Sequence, residues 1–227
     1  NEWGSCYSNL LYVNNGNGTF TDVTVSTGIQ ETMIRHSFSA MPYDFNNDGF
    51  IDLYVTNDFG EPNYLYLNQG GVSFIEQATA FGLDNSFDDM GIALGDYNND
   101  GAFDLYITGI DETALLTNNG DNTFFENAAV NNVFDAGWAW GTQFADFDLD
   151  GDEDLFVTNG YVFENRGAEY NRYFKNNYVE GLNHFTDATV TSNLNDLTMS
   201  HEALDFDYDN DGDIDLYVTN TDNHSYL

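Results

Sequence analysis

Residues 44–57 read DFNNDGFIDLYVTN, and this fourteen-residue pattern returns three times along the chain. The further copies are DYNNDGAFDLYITG at 96–109, DFDLDGDEDLFVTN at 146–159 and DYDNDGDIDLYVTN at 207–220. A second segment recurs between them, and its copies begin at Leu11, Leu65, Leu115 and, in a looser form, Tyr173. Two segments that alternate in this way identify a repeat protein.

Each repeat contains four short segments with the character of β-strands. The end of the quoted stretch, residues 53–56, is β-branched and aromatic and stops at an Asn. An LYxN segment follows, then an Asn/Gly turn and a segment with apolar alternation such as residues 20–23. A fourth short run precedes each acidic stretch. We label the run before the acidic stretch strand A and the three that follow it strands B, C and D.

Four strands in every 50 to 58 residues are typical of propeller blades rather than of helical solenoids. The sequence therefore predicts an all-β fold, a β-propeller built of four-stranded antiparallel blades. Residues 1–227 form a single repeat region of about four blades, which reads C-D, three full A-B-C-D units, and A-B. An N-terminal C-D pair that completed the C-terminal A-B pair would remove the sheet edges.

The acidic stretches share the form D-x-[DN]-x-D-G-x-x-D and connect strand A to strand B. We call them the first loop (44–52), the second loop (96–104), the third loop (146–154) and the fourth loop (207–215). Ca²⁺ takes six to eight oxygen ligands, and alternate residues of a tight turn can direct several carboxylates toward one point. A Gly at the sixth position permits the positive φ that such a turn needs.

By analogy with the EF-hand, positions 1, 3 and 5 would supply side-chain oxygens and position 7 a backbone carbonyl, while the ninth residue closes the shell. A single stretch of this form is often only an Asx-rich turn, but four matching copies favour about four bound Ca²⁺ ions. The crowded carboxylates would otherwise repel one another. The predicted metal ligands are Asp44, Asn46, Asp48, Phe50, Asp52, Asp96, Asn98, Asp100, Ala102, Asp104, Asp146, Asp148, Asp150, Asp152, Asp154, Asp207, Asp209, Asp211, Asp213 and Asp215.

The charge balance narrows the classes of partner. The chain has 39 acidic residues against four basic ones, for a formal net charge of −35. Such a surface repels phosphate backbones and anionic lipid, which argues against nucleic acid and membrane partners. No apolar run approaches the roughly 18 residues that a membrane span requires. The single cysteine excludes an intrachain disulfide and leaves the redox compartment open.

Some features do not recur in every repeat and are therefore candidates for contact with a partner. They are Trp138 and Trp140, two apart in a strand A, and the basic residues Arg166, Arg172 and Lys175. Packing of the tryptophans and a solvated hairpin for the basic segment are the structural alternatives. Two N-glycosylation patterns begin at Asn17 and Asn223.

The repeat resembles the FG-GAP/VCBS family, the calcium-loop blades of the integrin α-subunit propeller, and most closely its cartilage-acidic-protein-like branch. The acidic loop, DLYVTN, the LYxNNG segment and GTFTDVT carry this resemblance along essentially the whole chain. The resemblance implies propeller blades, usually seven, with a calcium loop between strands A and B, in secreted or cell-surface proteins. Four repeats instead of seven leave three alternatives open: a fragment of a longer protein, a closed four-bladed ring, or a head-to-tail polymer.

These observations predict an extracellular calcium-binding repeat protein with a structural or adhesive role, which binds protein, glycan or other copies of itself. We expect no enzymatic activity, because no nucleophile motif, phosphate-binding loop or zinc spacing occurs. The alternative is a propeller lectin or a polysaccharide-processing enzyme.

Overall fold

The computed structural model describes residues 7–29, 33–160 and 169–221. The chain divides into two compact units, Asn1–Asp88 and Asp89–Leu227, and each is described separately. Both units are built from antiparallel β-sheets, which confirms the all-β prediction. Among the described residues, no helix has the length and hydropathy needed to cross a membrane.

The first unit contains a two-stranded sheet followed by a four-stranded sheet. Its strands are β1 (Tyr12–Asn14), β2 (Phe20–Asp22), β3 (Ser37–Tyr43), β4 (Asp52–Asn57), β5 (Tyr64–Asn68) and β6 (Phe74–Glu76). Strands β3 to β6 lie side by side in chain order, and these are the predicted strands A, B, C and D of the first full repeat. The short helix α1 (Ala78–Phe81) follows and ends at Gly82 with φ 72°.

The second unit contains two four-stranded sheets and one two-stranded sheet, each in chain order. Its strands are β7 (Ile92–Gly95), β8 (Asp104–Ile107), β9 (Ala114–Asn118), β10 (Phe124–Glu126), β11 (Ala139–Ala145), β12 (Asp154–Asn159), β13 (Arg172–Lys175), β14 (Thr186–Asp187), β15 (Met199–Phe206) and β16 (Asp215–Thr221). We call β7–β10 the second repeat, β11–β14 the third repeat and β15–β16 the fourth repeat. None of these sheets closes on itself within the described ranges.

Strand B lies in the interior of the sheet in each full repeat because its residues form an unbroken apolar run. It pairs with strand A on one side and strand C on the other, and its side chains are buried on both faces. Tyr54, Tyr106 and Phe156, at equivalent positions, are all at most 1% exposed. The hydroxyl group of Tyr106 donates a hydrogen bond to the carbonyl oxygen of Val133 at 2.9 Å, so its polar end is satisfied inside the core.

In the second unit, β11 lies against the strands A of both neighbouring repeats, β7 and β15, and also contacts the residue that follows β8. The Thr108 hydroxyl donates to the Trp140 carbonyl oxygen at 2.5 Å, and Gln143 Nε2 donates to the Ala203 carbonyl oxygen at 2.9 Å. Gly91 makes the first of these contacts possible, because a Cβ there would lie 2.1 Å from the Trp140 carbonyl oxygen. A single hydrophobic cluster, which includes Tyr106 and Phe144, joins the sheets of the second and third repeats.

Candidate functional site

The four acidic loops occupy the same place in every repeat, between the end of strand A and the start of strand B. The first loop begins directly after β3, and its ninth residue is the first residue of β4. The other three loops also end on the first residue of a strand B, at Asp104, Asp154 and Asp215. Each acidic loop therefore connects strand A to strand B, as predicted, and runs directly into strand B.

The backbone of the four loops follows one conformation. The fourth residue lies in the left-handed region in each case: Asn47 (φ 57°), Asn99 (φ 54°), Leu149 (φ 60°) and Asn210 (φ 62°). The glycine at the sixth position has φ between 88° and 99°. Two left-handed residues separated by one position wrap the chain tightly, which brings the odd-numbered side chains to the inside of the turn.

Hydrogen bonds to the carboxylates hold the first loop in this shape. Asp44 accepts the backbone N–H groups of Asp48 (3.0 Å) and Gly49 (2.8 Å), one on each oxygen. Asn46 Oδ1 also accepts the N–H group of Asp48 at 3.0 Å, and Asp48 Oδ1 accepts that of Phe50 at 2.8 Å. The bonds from positions 5 and 6 to position 1, and from position 7 to position 5, recur in the other three loops.

The ninth residue joins the first loop to strand C. Asp52 is 0% exposed, and its Oδ1 accepts the N–H group of Asn68 at 2.7 Å while its Oδ2 accepts that of Phe45 at 2.9 Å. Burial raises the pKa of Asp52, with smaller contributions from Asp48 and Asp44. The carboxylate thus links strands A, B and C at one point, next to the acidic turn.

Asp104, the ninth residue of the second loop, has an unsatisfied oxygen. Its Oδ1 accepts the N–H group of Asn118 at 2.7 Å, whereas Oδ2 has no hydrogen-bond partner in the described part of the chain. Burial is the main cause of a pKa of about 8 at Asp104; the nearby carboxylates of Asp100 and Asp96 contribute to the rise, and the backbone N–H groups of Asn118 and Tyr97 oppose it. A cation in the loop would satisfy this oxygen, so the donor set of the second loop fits a hard cation such as Ca²⁺.

Two further loops bring carboxylate oxygens close enough together to hold an ion. Within the described residues, one oxygen from each of Asp146, Asp148 and Asp150 lies within 4.8 Å of the others in the third loop. Asp207, Asp209 and Asp215 form a corresponding group in the fourth loop. These acidic clusters could hold cations, as predicted from the spacing of the aspartates.

The third loop differs from the others because a basic side chain lies inside it. Lys175 Nζ donates to Asp148 Oδ2 and, at 2.8 Å, to Asp150 Oδ2, and it lies 3.5 Å from Glu180 Oε1. These carboxylates raise the pKa of Lys175. The sequence pattern predicts Lys175 as a partner contact, whereas the structure pairs it with its own loop. This pairing depends on the register of strand C against the loop, which the repeat pattern does not set.

A second acidic cluster lies beside the third loop. Asp152, at the seventh position, is 1% exposed, and its Oδ2 accepts the Val179 N–H group at 2.9 Å. Burial raises its pKa to about 6, with a contribution from the neighbouring Asp150. Asp150, Asp152 and Glu180 each place an oxygen within 4.8 Å of the others. The loop pattern predicts only a carbonyl ligand at Asp152, whereas the structure places its side chain in this second acidic cluster.

The second and third loops contact each other within the second unit. Glu153 Oε2 accepts the backbone N–H group of Asp96 at 2.7 Å, and Asn99 Nδ2 donates to the Gly151 carbonyl oxygen at 3.2 Å. Burial raises the pKa of Glu153, and Asp96 adds to the rise. This contact could not be predicted from the loop pattern, because that pattern assigns no role to the eighth position.

Those residues proposed to contact a partner that the structure describes are engaged within the chain. The Trp140 ring stacks on the His201 ring at 4.7 Å and 17°, and Trp140 Nε1 donates to the Gly160 carbonyl oxygen at 3.2 Å. Trp138 is half-buried. Arg172 Nη1 donates to Asp187 Oδ2 at 3.1 Å. A role for these residues in contact with a partner stays a prediction.

The remaining predicted positions lie either on the surface or outside the residues that the structure describes. Asn17 is exposed in the turn between β1 and β2, and its Oδ1 accepts the Thr19 N–H group at 3.1 Å and the Thr19 hydroxyl at 2.7 Å. Arg166 and Asn223 lie outside the described residues. Glycosylation at Asn17 stays a prediction.

Comparison with known families and proteins agrees with the repeat pattern. Residues 44–107 match the model of an FG-GAP-like repeat. Cartilage acidic protein 1 of Mus musculus is 27% identical over 186 residues, which cover 75% of this chain and 28% of that protein. The Xenopus tropicalis protein of the same name is 27% identical over 165 residues, with 67% and 25% covered. These matches confirm the resemblance to FG-GAP repeats and to the cartilage-acidic-protein-like branch.

The chain spans about a quarter of the length of these curated relatives. One similar solved structure is that of an Agrocybe aegerita lectin described as specifically recognising non-reducing terminal N-acetylglucosamine. The two folds superpose with a TM-score of 0.50 at 20% sequence identity, over 91% of this chain and 54% of the lectin chain. This likeness concerns the fold.

Proposed function

We propose that the FG-GAP-like repeats of this chain form calcium-binding β-propeller blades of an extracellular protein with a structural or adhesive role. The observation that carries the proposal is the shared geometry of the four loops, with the unsatisfied, buried Oδ2 of Asp104 at the inner end of one of them. A buried carboxylate oxygen among other carboxylates requires either a proton or a cation.

Each of these positions in the loop would supply a particular ligand to the bound ion. Positions 1, 3 and 5 present side-chain oxygens, position 7 a carbonyl group and position 9 the closing carboxylate. Calcium would supply the positive charge that these oxygens lack. Because the ninth aspartate also accepts an N–H group from strand C, as Asp52 does from Asn68, a fixed loop holds strands A, B and C in register.

An extracellular location accords with these features. The relatives named Cartilage acidic protein 1 and the FG-GAP-like match support it. Calcium sites of extracellular modules commonly bind with dissociation constants of about 10⁻⁴–10⁻³ M. A net charge of −35 is also better tolerated where divalent cations are plentiful.

Thermal unfolding with and without calcium tests this proposal. A site filled to about 100 times its dissociation constant stabilises the folded state by about 2.7 kcal/mol, provided the unfolded chain does not bind. We expect the melting temperature to rise by several degrees in millimolar calcium, to fall with EDTA, and to recover with excess calcium but only weakly with magnesium. A melting curve that calcium and EDTA leave unchanged would contradict the proposal.

Glycan recognition is the second candidate function, because the fold resembles that of a lectin for terminal N-acetylglucosamine. A shared fold does not by itself transfer a ligand. The candidate site is Trp140, whose ring stacks on His201 and could present a face to a sugar. A glycan array tests it: binding that Trp140→Ala abolishes, and that Phe125→Ala at an exposed strand D leaves intact, supports it. No binding to any glycan counts against it.

Two further alternatives remain proposals. Turnover of an acidic polysaccharide, lost on substitution of a single carboxylate, would show a polysaccharide-processing enzyme and overturn our expectation of no activity. Self-assembly would use the half repeats, because β1–β2 are strands C and D while β15–β16 are strands A and B. A molecular mass in calcium that does not depend on protein concentration would exclude such assembly.

A further inference from the structure

Lys175 is the single lysine of the chain, and its ammonium group lies inside the third loop. Nζ donates to the position 3 carboxylate, Asp148, and to the position 5 carboxylate, Asp150, at 2.8 Å. Glu180 Oε1 lies 3.5 Å away on another side. A positive charge therefore already contacts two of the oxygens that the loop pattern assigns to a metal ion.

Three of the loops belong to a repeat with a described strand C. Among these three, only the third loop has a lysine in contact with its carboxylates. Asn68, Asn118 and Asn176 each donate a backbone N–H group to Oδ1 of the ninth aspartate, which sets the register of strand C against the loop. The residues just before them are therefore equivalent: Leu67, Thr117 and Lys175. Leu67 is buried, and the Thr117 hydroxyl hydrogen-bonds to Tyr97, so neither brings a cation to its loop.

The positive charge of Lys175 lies beside a negative charge that the first and second loops lack. Position 3 is Asn46 in the first loop and Asn98 in the second, whereas it is Asp148 in the third and Asp209 in the fourth, which has no described strand C to supply a cation. Asp154 Oδ2 accepts the Tyr173 hydroxyl at 2.7 Å. Asp52 Oδ2 of the first loop likewise accepts the Phe45 N–H group at 2.9 Å, so it is the lysine and not the closing aspartate that distinguishes the third loop. In the second loop the same oxygen, Asp104 Oδ2, has no such partner within the described residues.

We propose that Lys175 is the built-in cation of the third loop, and that calcium binds in the first, second and fourth loops but not in the third. An ion bound to the same carboxylates would lie within a few ångströms of the ammonium group, and repulsion at that distance weakens binding by at least about tenfold. The third repeat would then keep its A-to-B connection closed without calcium. This inference rests on the proposed calcium binding by the other loops.

The number of bound ions tests the inference. Native mass spectrometry in calcium should count three ions on the wild-type chain and four on Lys175→Met, which keeps the length of the side chain but removes its charge. Arg172→Gln is the matched control, because it removes a positive charge from the same strand, away from the loop, and should leave three ions. Four ions on the wild-type chain, or equal counts for wild type and Lys175→Met, would overturn the inference.

Chemical labelling provides a second test that needs no variant. Since the chain has one lysine, an amine-acylating reagent reports on Lys175 and the N-terminal amine alone. Because the carboxylates around Lys175 favour its charged, unreactive form, we expect it to react at least about tenfold more slowly in the folded protein than in urea, both with and without calcium. Acylation as fast as in urea, or a marked acceleration when calcium is added, would show that the ammonium group is not held in the loop.

The two tests also separate this inference from the proposed function. If the wild-type chain binds no calcium at all, the proposed function fails. Slow labelling of Lys175 in calcium-free protein would nevertheless show that the ammonium group holds the third loop. If three ions bind but Lys175 is acylated rapidly, the proposed calcium binding stands, and the proposal that Lys175 is the cation of the third loop is wrong.

Discussion

The surroundings of one carboxyl group, that of Asp104, bear most directly on whether the loops bind calcium. It is fully buried, one of its oxygens accepts the N–H group of Asn118, and the other has no hydrogen-bond partner in the described ranges. Burial raises its pKa to about 8 from an ordinary value of 3.8. Without a cation, the folded protein therefore keeps Asp104 protonated at a pH where the unfolded chain releases the proton.

The raised pKa predicts how the stability of the calcium-free protein depends on pH. Between about pH 4 and pH 8 the folded state binds one more proton at Asp104 than the unfolded state, so the free energy of unfolding falls as pH rises. Asp104→Asn imitates the protonated form and should remove this slope. We expect the calcium-free variant to exceed wild type by on the order of a few kcal/mol at pH 8.

Denaturant unfolding followed by the fluorescence of Trp138 and Trp140, in the same unit as Asp104, measures this effect. Glu112→Gln, at an exposed carboxyl of the second repeat, is the control and should change stability by less than about 0.5 kcal/mol. In millimolar calcium, wild type should instead be more stable than Asp104→Asn, because the variant loses a calcium ligand. A pH slope in Asp104→Asn equal to that of wild type would contradict the assignment.

At the scale of elements, each loop is stable only as part of the strands around it. The ninth aspartate begins strand B and accepts an N–H group from strand C, and strands A of neighbouring repeats approach closely in the second unit. Gly91 lies at one such close approach, since a Cβ there would lie 2.1 Å from the Trp140 carbonyl oxygen and 3.0 Å from Thr108 Oγ1. The packing of repeats thus depends on a residue without a side chain.

Gly91→Ala should destabilise the second unit by about 3 kcal/mol, because the backbone at Trp140 has to move and the hydrogen bond from Thr108 weakens. Thermal unfolding measures the loss. Gly120→Asn is a suitable control, since Gly120 has φ 74° with no atom near its Cβ position, and Asn tolerates this conformation. Equal melting temperatures for Gly91→Ala and wild type would rule out the close approach.

The order of the elements could be predicted from the sequence, whereas the contacts between them could not. The period of the repeat located strands A to D and the acidic loops, because each depends on local residue patterns. Lys175 and Glu153 illustrate the limit. Both side chains act on a loop that becomes their neighbour only through strand pairing or the packing of repeats. The helix α1 was also missed, since four residues are too few for a helical period.

At the scale of the whole molecule, the acidic loops account for much of the unusual charge. A formal net charge of −35 opposes a compact fold through self-repulsion, and the repeated loops concentrate that charge at defined points. Cations bound at those points would reduce the repulsion where it is strongest. The stability of the chain should therefore depend on calcium more than on ionic strength, because screening by salt acts weakly on partly buried carboxylates.

Anomalous diffraction from crystals grown in millimolar calcium tests the central claim, that the acidic loops are calcium sites, most directly. Ions are expected in the first, second and fourth loops, at about 2.3–2.6 Å from oxygens of positions 1, 3, 5, 7 and 9. An ion in the third loop as well would overturn the role of Lys175 but not the claim. Loops that bind no ion in any of the four repeats would contradict it.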